Sequence, residues 1–161
     1  MLNHGFIHID SDNSHDETLS LHDCIAEKVC LSDNVLRFYF SDGFWIIPSH
    51  KDSYLNKIVK TDEAVVDFLF ENINDITICV FKRNIFKKTY VEYWEVNDLM
   101  NAINKKNFTI EFIYQYRKYN EQMWYCIIRS KNNYYTYECQ LHLPNISATY
   151  YWNNLRPNCV W

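Results

Sequence analysis

Residues 21–48 read LHDCIAEKVCLSDNVLRFYFSDGFWIIP, a stretch that spells out three strands separated by two tight turns. Asp33-Asn34 and Asp42-Gly43 are pairs that tolerate positive φ, which a two-residue type I′ hairpin requires at both central positions. Before the first turn, Ile25, Val29 and Leu31 fall on one pleat face of a strand over 24–31, with Glu27 on that face and Lys28 on the other. Between the turns, Leu36, Phe38 and Phe40 alternate with Val35, Arg37 and Tyr39. Beyond the second, Phe44-Trp45-Ile46-Ile47 is apolar at every position, the pattern of a strand buried on both faces. Two successive hairpins predict a meander.

The same alternation extends outward. Ala64, Val66, Phe68 and Phe70 alternate with Val65, Asp67 and Leu69, and Asn72-Ile73-Asn74-Asp75 leads into 76–81, which reads as another hairpin with a third strand over 88–94. Val96, Leu99, Met100 and Ile103 recur at i, i+3, i+4 and i+7 behind the capping candidates Glu95 and Asn97, and predict one short helix over 96–105. Four strands over 108–116, 123–130, 134–143 and 146–152 close the chain. Upstream, a short strand over 6–9 precedes the polar run DSDNSHDETLS, and 49–62 reads as a connection. The domain reading is a flexible N-terminal segment over 1–20 and a single β-rich domain over 21–161. The fold class is mainly β, a β-dominated α+β protein. About ten antiparallel strands in meanders form a curled sheet, open barrel or two-layer sandwich with the helix across one end.

Composition supports this. Aromatic residues are 17 % of the 161 positions, and flat, bulky rings suit a pleated, half-buried surface. With only 2 Gly and 3 Pro, turns fall to Asn and Asp, and no phosphate-cradling glycine loop can be built. The net charge of −4 argues against generic polyanion binding. Six cysteines with no C-x-x-C pair, and no secretory leader ahead of them, read as reduced apolar residues of a cytoplasmic protein. No apolar run approaches the ~18–20 residues that span a bilayer, so no membrane partner is expected.

Candidate chemistry is sparse. His22-Asp23-Cys24 holds the residue types of a thiol nucleophile, yet adjacent strand positions face opposite ways, and a base would have to come from His50 or His142. His4, His8, Asp10, Asp12, His15 and Asp16 crowd one segment without defined ligand spacing, so no metal or cofactor is assigned. Lys82, Arg83, Lys87 and Lys88 around Ile85-Phe86, with Arg117, Lys118, Arg129 and Lys131, are the elements a single-stranded nucleic-acid binder would use, but no RNP-like string accompanies them. Glu92, Glu95, Glu111, Glu121 and Glu138 are the carboxylates from which an acid–base pair would be drawn.

The C-terminal half carries more rings than one small core can hold: Tyr114, Tyr116, Tyr119, Trp124, Tyr125, Tyr134, Tyr135, Tyr137, Tyr150, Tyr151 and Trp152. Some must reach the surface, where Tyr and Trp beside Arg favour protein contacts. Tyr116, Tyr119, Trp124, Tyr135, Tyr137, Tyr151 and Trp152 are the candidate partner-binding residues.

The order L-H-D-C at 21–24, then D-G-F-W-I at 42–46, then Tyr151-Trp152-Asn153-Asn154, resembles small uncharacterised β-rich proteins of low-GC Gram-positive bacteria, some of them similar to immunity proteins of toxin systems. The resemblance implies a bacterial, cytoplasmic, non-enzymatic protein that neutralises one protein partner. It brings no catalytic residue. The leading expectation is therefore a protein-binding module. A small-ligand carrier or enzyme using a cavity in the curled sheet is the alternative, and a nucleic-acid binder the third.

Overall fold

The strand that begins at Cys24 does not run through to Leu31. Cys24 and Ala26 are buried and Ile25 is exposed, but Val29 is buried in its turn, so the pleat loses its phase at Glu27 and Lys28. There the chain steps between sheets. In the computed structural model, which describes residues 5–10, 18–51, 53, 56–84, 86–118, 121–132, 134–144 and 147–161, the strands are β1 (Phe6–Asp10), β2 (Leu19–Ser20), β3 (Cys24–Ala26), β4 (Lys28–Ser32) and β5 (Val35–Phe40). There follow β6 (Trp45–Ile46), β7 (Val59–Thr61), β8 (Ala64–Leu69), β9 (Thr77–Arg83), β10 (Thr89–Trp94), helix α1 (Val96–Lys105), β11 (Phe108–Lys118), β12 (Glu121–Ser130), β13 (Thr136–Pro144), β14 (Ala148–Trp152) and β15 (Leu155–Val160).

These elements make three antiparallel sheets, none closed into a barrel. The five-stranded sheet has the order β1-β14-β8-β5-β4, the six-stranded sheet β10-β9-β13-β12-β11-β3, and the four-stranded sheet β15-β7-β6-β2. The β-dominated class with one short helix holds, with fifteen strands among the described residues rather than ten.

The first hairpin forms, with Ser32 opposite Val35, although only Asp33 takes a positive φ (48°) and the turn is therefore not type I′. In β5, Leu36, Phe38 and Phe40 are buried as the alternation requires. The second expected hairpin does not form. At Gly43, whose φ is 68°, the chain leaves β5, and β6 pairs with β2 and β7 instead. Phe44 and Ile46 enter the core, but Trp45 and Ile47 are half-buried, so that strand is not covered on both faces. The expected 63–71/76–81 hairpin is also replaced. The 3₁₀ turn Ile73–Asp75 carries the chain across, so that β8 pairs with β5 and β14 while β9 pairs with β13 and β10.

The meander β11-β12-β13 matches the sequence reading, whereas β14 returns to the five-stranded sheet between β1 and β8. Three strands lie where none was expected: β2 at the end of the polar run, β7 inside the 49–62 connection and β15 at 155–160. Residues 1–20 contribute β1 and β2 to two different sheets, and residues 11–17 of the polar run lie outside the described residues.

The inward faces of the two larger sheets pack on each other as the layers of a sandwich. Phe38 meets Phe112 edge-to-face at 5.3 Å and 89°, Phe40 meets Phe112 at 5.6 Å, and Phe68 meets Trp124 at 6.4 Å. Phe44 joins the four-stranded sheet to this core through Trp152 at 5.5 Å. Helix α1 starts in a reciprocal capping box between Glu95 and Asp98 and buries Val96, Leu99, Ala102 and Ile103. From it the amide of Asn104 reaches the edge strand β4, accepting from Val29 N at 3.0 Å and donating to Val29 O at 2.6 Å. One side chain thus stands in for a missing strand.

Candidate partner-binding face

With the inward face of the six-stranded sheet given to the core, period-2 alternation sends the other set of side chains outward, and the strand registers align them in rows. One row reads Tyr93, Cys79, Gln140, Tyr125, Tyr114. The next reads Val91, Phe81, Glu138, Ile127, Glu111, Ile25, and a third Thr77, His142, Met123, Tyr116. Tyr93 is 72 % exposed, and Tyr116, Tyr114, Val91 and Ile25 are exposed as well. Phe81, Met123, Tyr125 and Ile127 are half-buried between them. A hollow of about 580 Å³ opens at one end, among Tyr93, Tyr116, Met123 and His142.

Two of the charges on this face neutralise each other. Arg129 pairs with Glu111 at 2.8 Å. Burial first, then the hydrogen bond and charge of Glu138, push the Tyr125 phenol above its ordinary value, so it stays a protonated donor.

The seven residues expected to face a partner are scattered. Tyr116 is on this outward face. Tyr135 and Tyr137 stack on each other at 6.4 Å beside a separate cleft of about 460 Å³, where helix α1 approaches the inward side of the sheet. There Lys82 pairs with Glu92 and sits over the rings of Trp94 (5.2 Å) and Tyr137 (5.5 Å). Tyr151 is on the outward side of the five-stranded sheet, 5.9 Å below Arg37, whose guanidinium clasps Asp67 through two bonds of 2.5 Å. Trp124 and Trp152 are corrections: at 3 % and 0 % exposure they are core residues. Alternation signals both, since Trp124 shares its face with Cys126 and Ile128, and Trp152 with Ala148 and Tyr150. Tyr119 lies outside the described residues. The sequence reading missed Tyr93, Val91 and Ile25, because it sought exposed contact residues only among the rings from Tyr114 onward.

The chemical candidates are each absorbed locally. Cys24 is fully buried, and burial above all pushes its thiol up to about 12, while the His22 ring stacks on Trp161 at 5.1 Å with Nδ1 against the Ile113 carbonyl. A thiolate nucleophile does not arise there. The Lys82 hydrogen bond, then that of Trp94, hold the Glu92 carboxyl below its ordinary value. Among the described residues no cluster of three His, Cys, Asp or Glu side chains is placed to hold a metal; His4, Asp12, His15 and Asp16 lie outside them. No helix among the described residues is long and apolar enough to cross a membrane. Phe86 is exposed beside Lys87 and Lys88, but Lys82 is engaged with Glu92 and Arg129 with Glu111, so the basic residues do not line one track. In comparisons with known proteins, the chain matches no family model, no curated protein and no solved structure.

Proposed function

We propose that the chain is a non-enzymatic protein-binding module, immunity-like in its mode of action, which holds one protein partner on the outward face of the six-stranded sheet. The observation that carries this is the exposure of Tyr93, Tyr114, Tyr116, Val91 and Ile25, from three adjacent rows, around half-buried Phe81, Met123 and Ile127. Tyrosines supply large contact area at small side-chain entropy cost, and Arg129 and Glu111 on this face already pair with each other. The chain's net charge of −4 would steer a basic partner toward it.

The test is affinity capture from lysate of the source organism with the wild type, the double variant Tyr93→Ser/Tyr116→Ser, and Leu69→Ser on the outward side of the other large sheet. One stoichiometric protein should be retained by wild type and Leu69→Ser and lost by the double variant, with each tyrosine worth about 2 kcal/mol or roughly 30-fold in affinity. An identical eluate from all three, or none carrying a stoichiometric protein, sinks the reading.

A small-ligand site is the second reading, favoured by the cleft of about 460 Å³ in which Lys82 lies between two rings. It requires that a small molecule quench Trp94 fluorescence saturably, and that Lys82→Met abolish the quench; a screen with no saturable quench removes it.

A further inference from the structure

Each sheet has edges, and an open edge offers unpaired N–H and C=O groups to any strand that meets it. Most edges of this chain are blunted. β4 is covered at Val29 by the Asn104 amide, β2 and β3 have two and three residues, and β15 contains Pro157 and a register irregularity between Arg156 and Val160. β1 leads into residues outside the described set. β10 is different. Its six residues TYVEYW contain neither Lys nor Pro, pair with β9 in unbroken register, and are exposed at Thr89, Tyr90, Val91 and Tyr93.

The direction of its free groups follows from the adjoining turn. Asn84 N donates to Lys88 O at 3.0 Å, which makes the Asn84–Lys88 pair a hydrogen-bonded one in the register that continues as Arg83 opposite Thr89. Hydrogen-bonded and non-hydrogen-bonded pairs alternate along an antiparallel ladder. Tyr90, Glu92 and Trp94 therefore bond to β9, while Thr89, Val91 and Tyr93 turn their N–H and C=O groups to the open edge.

We propose that two copies of this chain pair antiparallel through β10, about a two-fold axis at Val91, joining their six-stranded sheets into one. In that register Val91 faces Val91 of the second copy, and Thr89 faces Tyr93 of the second copy on either side, giving about six inter-strand hydrogen bonds. The intervening positions are complementary: Tyr90 stands opposite Glu92, and Lys88 opposite Trp94, of the second copy. Centring on Glu92 would oppose two carboxylates. Centring on Tyr90 would leave Tyr93 without a partner. The outward faces of both copies fall on the same side, so Val91 and Tyr93 become the middle of a doubled face. None of this depends on the partner-binding reading.

Sedimentation equilibrium from about 1 to 200 µM tests the pairing, with the mass rising from 19.6 kDa toward twice that value by mass action. Val91→Pro deletes an N–H aimed at the open edge and no bond to β9, and Val91→Lys adds an edge charge without altering the backbone; both should stay at 19.6 kDa. If Val91→Pro does not fold, Val91→Lys carries the test. Amide exchange by NMR gives a second readout: Thr89, Val91 and Tyr93 should be protected in wild type at high concentration and unprotected in Val91→Lys, with Tyr90, Glu92 and Trp94 protected in both. A wild type that stays monomeric throughout the range, variants that dimerise like wild type, or protection without the alternation would each overturn the proposal.

Discussion

Gly43→Ala is expected to be among the most damaging single substitutions in this chain. The residue has φ = 68°, and a Cβ built on it would lie 2.2 Å from Asp62 O, 2.5 Å from Thr61 O and 2.3 Å from Thr61 Oγ1. Two of these are backbone atoms, so rotamer changes cannot relieve the overlap; the β7 backbone must withdraw. It is held there by Thr61 N donating to Phe44 O at 2.8 Å and by Phe44 N donating to Thr61 Oγ1 at 3.0 Å, both in the buried core. The left-handed conformation costs an alanine roughly 1 kcal/mol or more, and two buried hydrogen bonds lost or stretched cost about 1–3 kcal/mol each. The sum, about 3–7 kcal/mol, is a large part of the ~5–15 kcal/mol that holds a domain together. At about 2–4 °C per kcal/mol for a chain of this size, thermal unfolding followed by circular dichroism should move down by roughly 6–28 °C, or the variant should be recovered insoluble. Gly5→Ala is the matched control: its nearest contact would be Asn153 O at 3.8 Å, and the effect should stay within about 0.5 kcal/mol. If Gly43→Ala unfolds within about 1 kcal/mol of wild type in urea, the close approach of this turn to β7 is wrong.

Two further outcomes follow from the edges and ion pairs. Asn104→Ala strips both partners from the backbone of Val29, a fully buried position, and should cost about 1–3 kcal/mol and raise the exchange rate of the Val29 amide; unchanged exchange there would refute the strand-like role of Asn104. At Asp42, burial raises the carboxyl pKa, but the hydrogen bonds from Lys60 and Arg156 outweigh it and hold the group below its ordinary 3.8. Its stabilising contribution is complete above that unfolded-state value and is lost as pH falls through the lower folded one, so urea midpoints of wild type and Asp42→Asn should converge below about pH 4. A gap of constant size from pH 7 to pH 3 would contradict the assignment.

The sequence disclosed which residues extend but not which strands meet. Alternation in β5, β12 and β13 and the heptad-like spacing of α1 are local signals, and the structure follows them. Asp42-Gly43 and Asn72–Asp75 carry the same turn chemistry as true hairpins, yet both are crossovers between sheets. A turn needs only the right φ, whereas pairing is decided by what the next strand buries. After Gly43, Phe44 packs on Tyr150 at 5.3 Å and on Trp152, rings more than 100 positions downstream, and no local rule could register that. The break at Glu27 was hidden too, because Ile25, Val29 and Leu31 fit one pleat face of a continuous strand. Buried Ala26 and Val29 stand three apart, and no continuous strand can place both on one face.

The outward face and the open edge share Val91 and Tyr93, so partner binding and self-pairing have a measurable relation. Tyr116 belongs to β11, four strands from β10 and hence about 19 Å away across the sheet. Sites that far apart act independently unless one assembly needs the other, so the cycle Val91→Pro, Tyr116→Ser and the double variant separates two cases. If one protomer suffices for the partner, Tyr116→Ser lowers partner affinity without changing the protein's own sedimentation, and the two substitutions add within about 0.5 kcal/mol. If the partner spans the doubled face, Val91→Pro already halves the contact, and Tyr116→Ser then costs less in its presence than alone. A Tyr116→Ser variant that turns monomeric by itself would break the argument, since no hydrogen bond of β10 passes through β11.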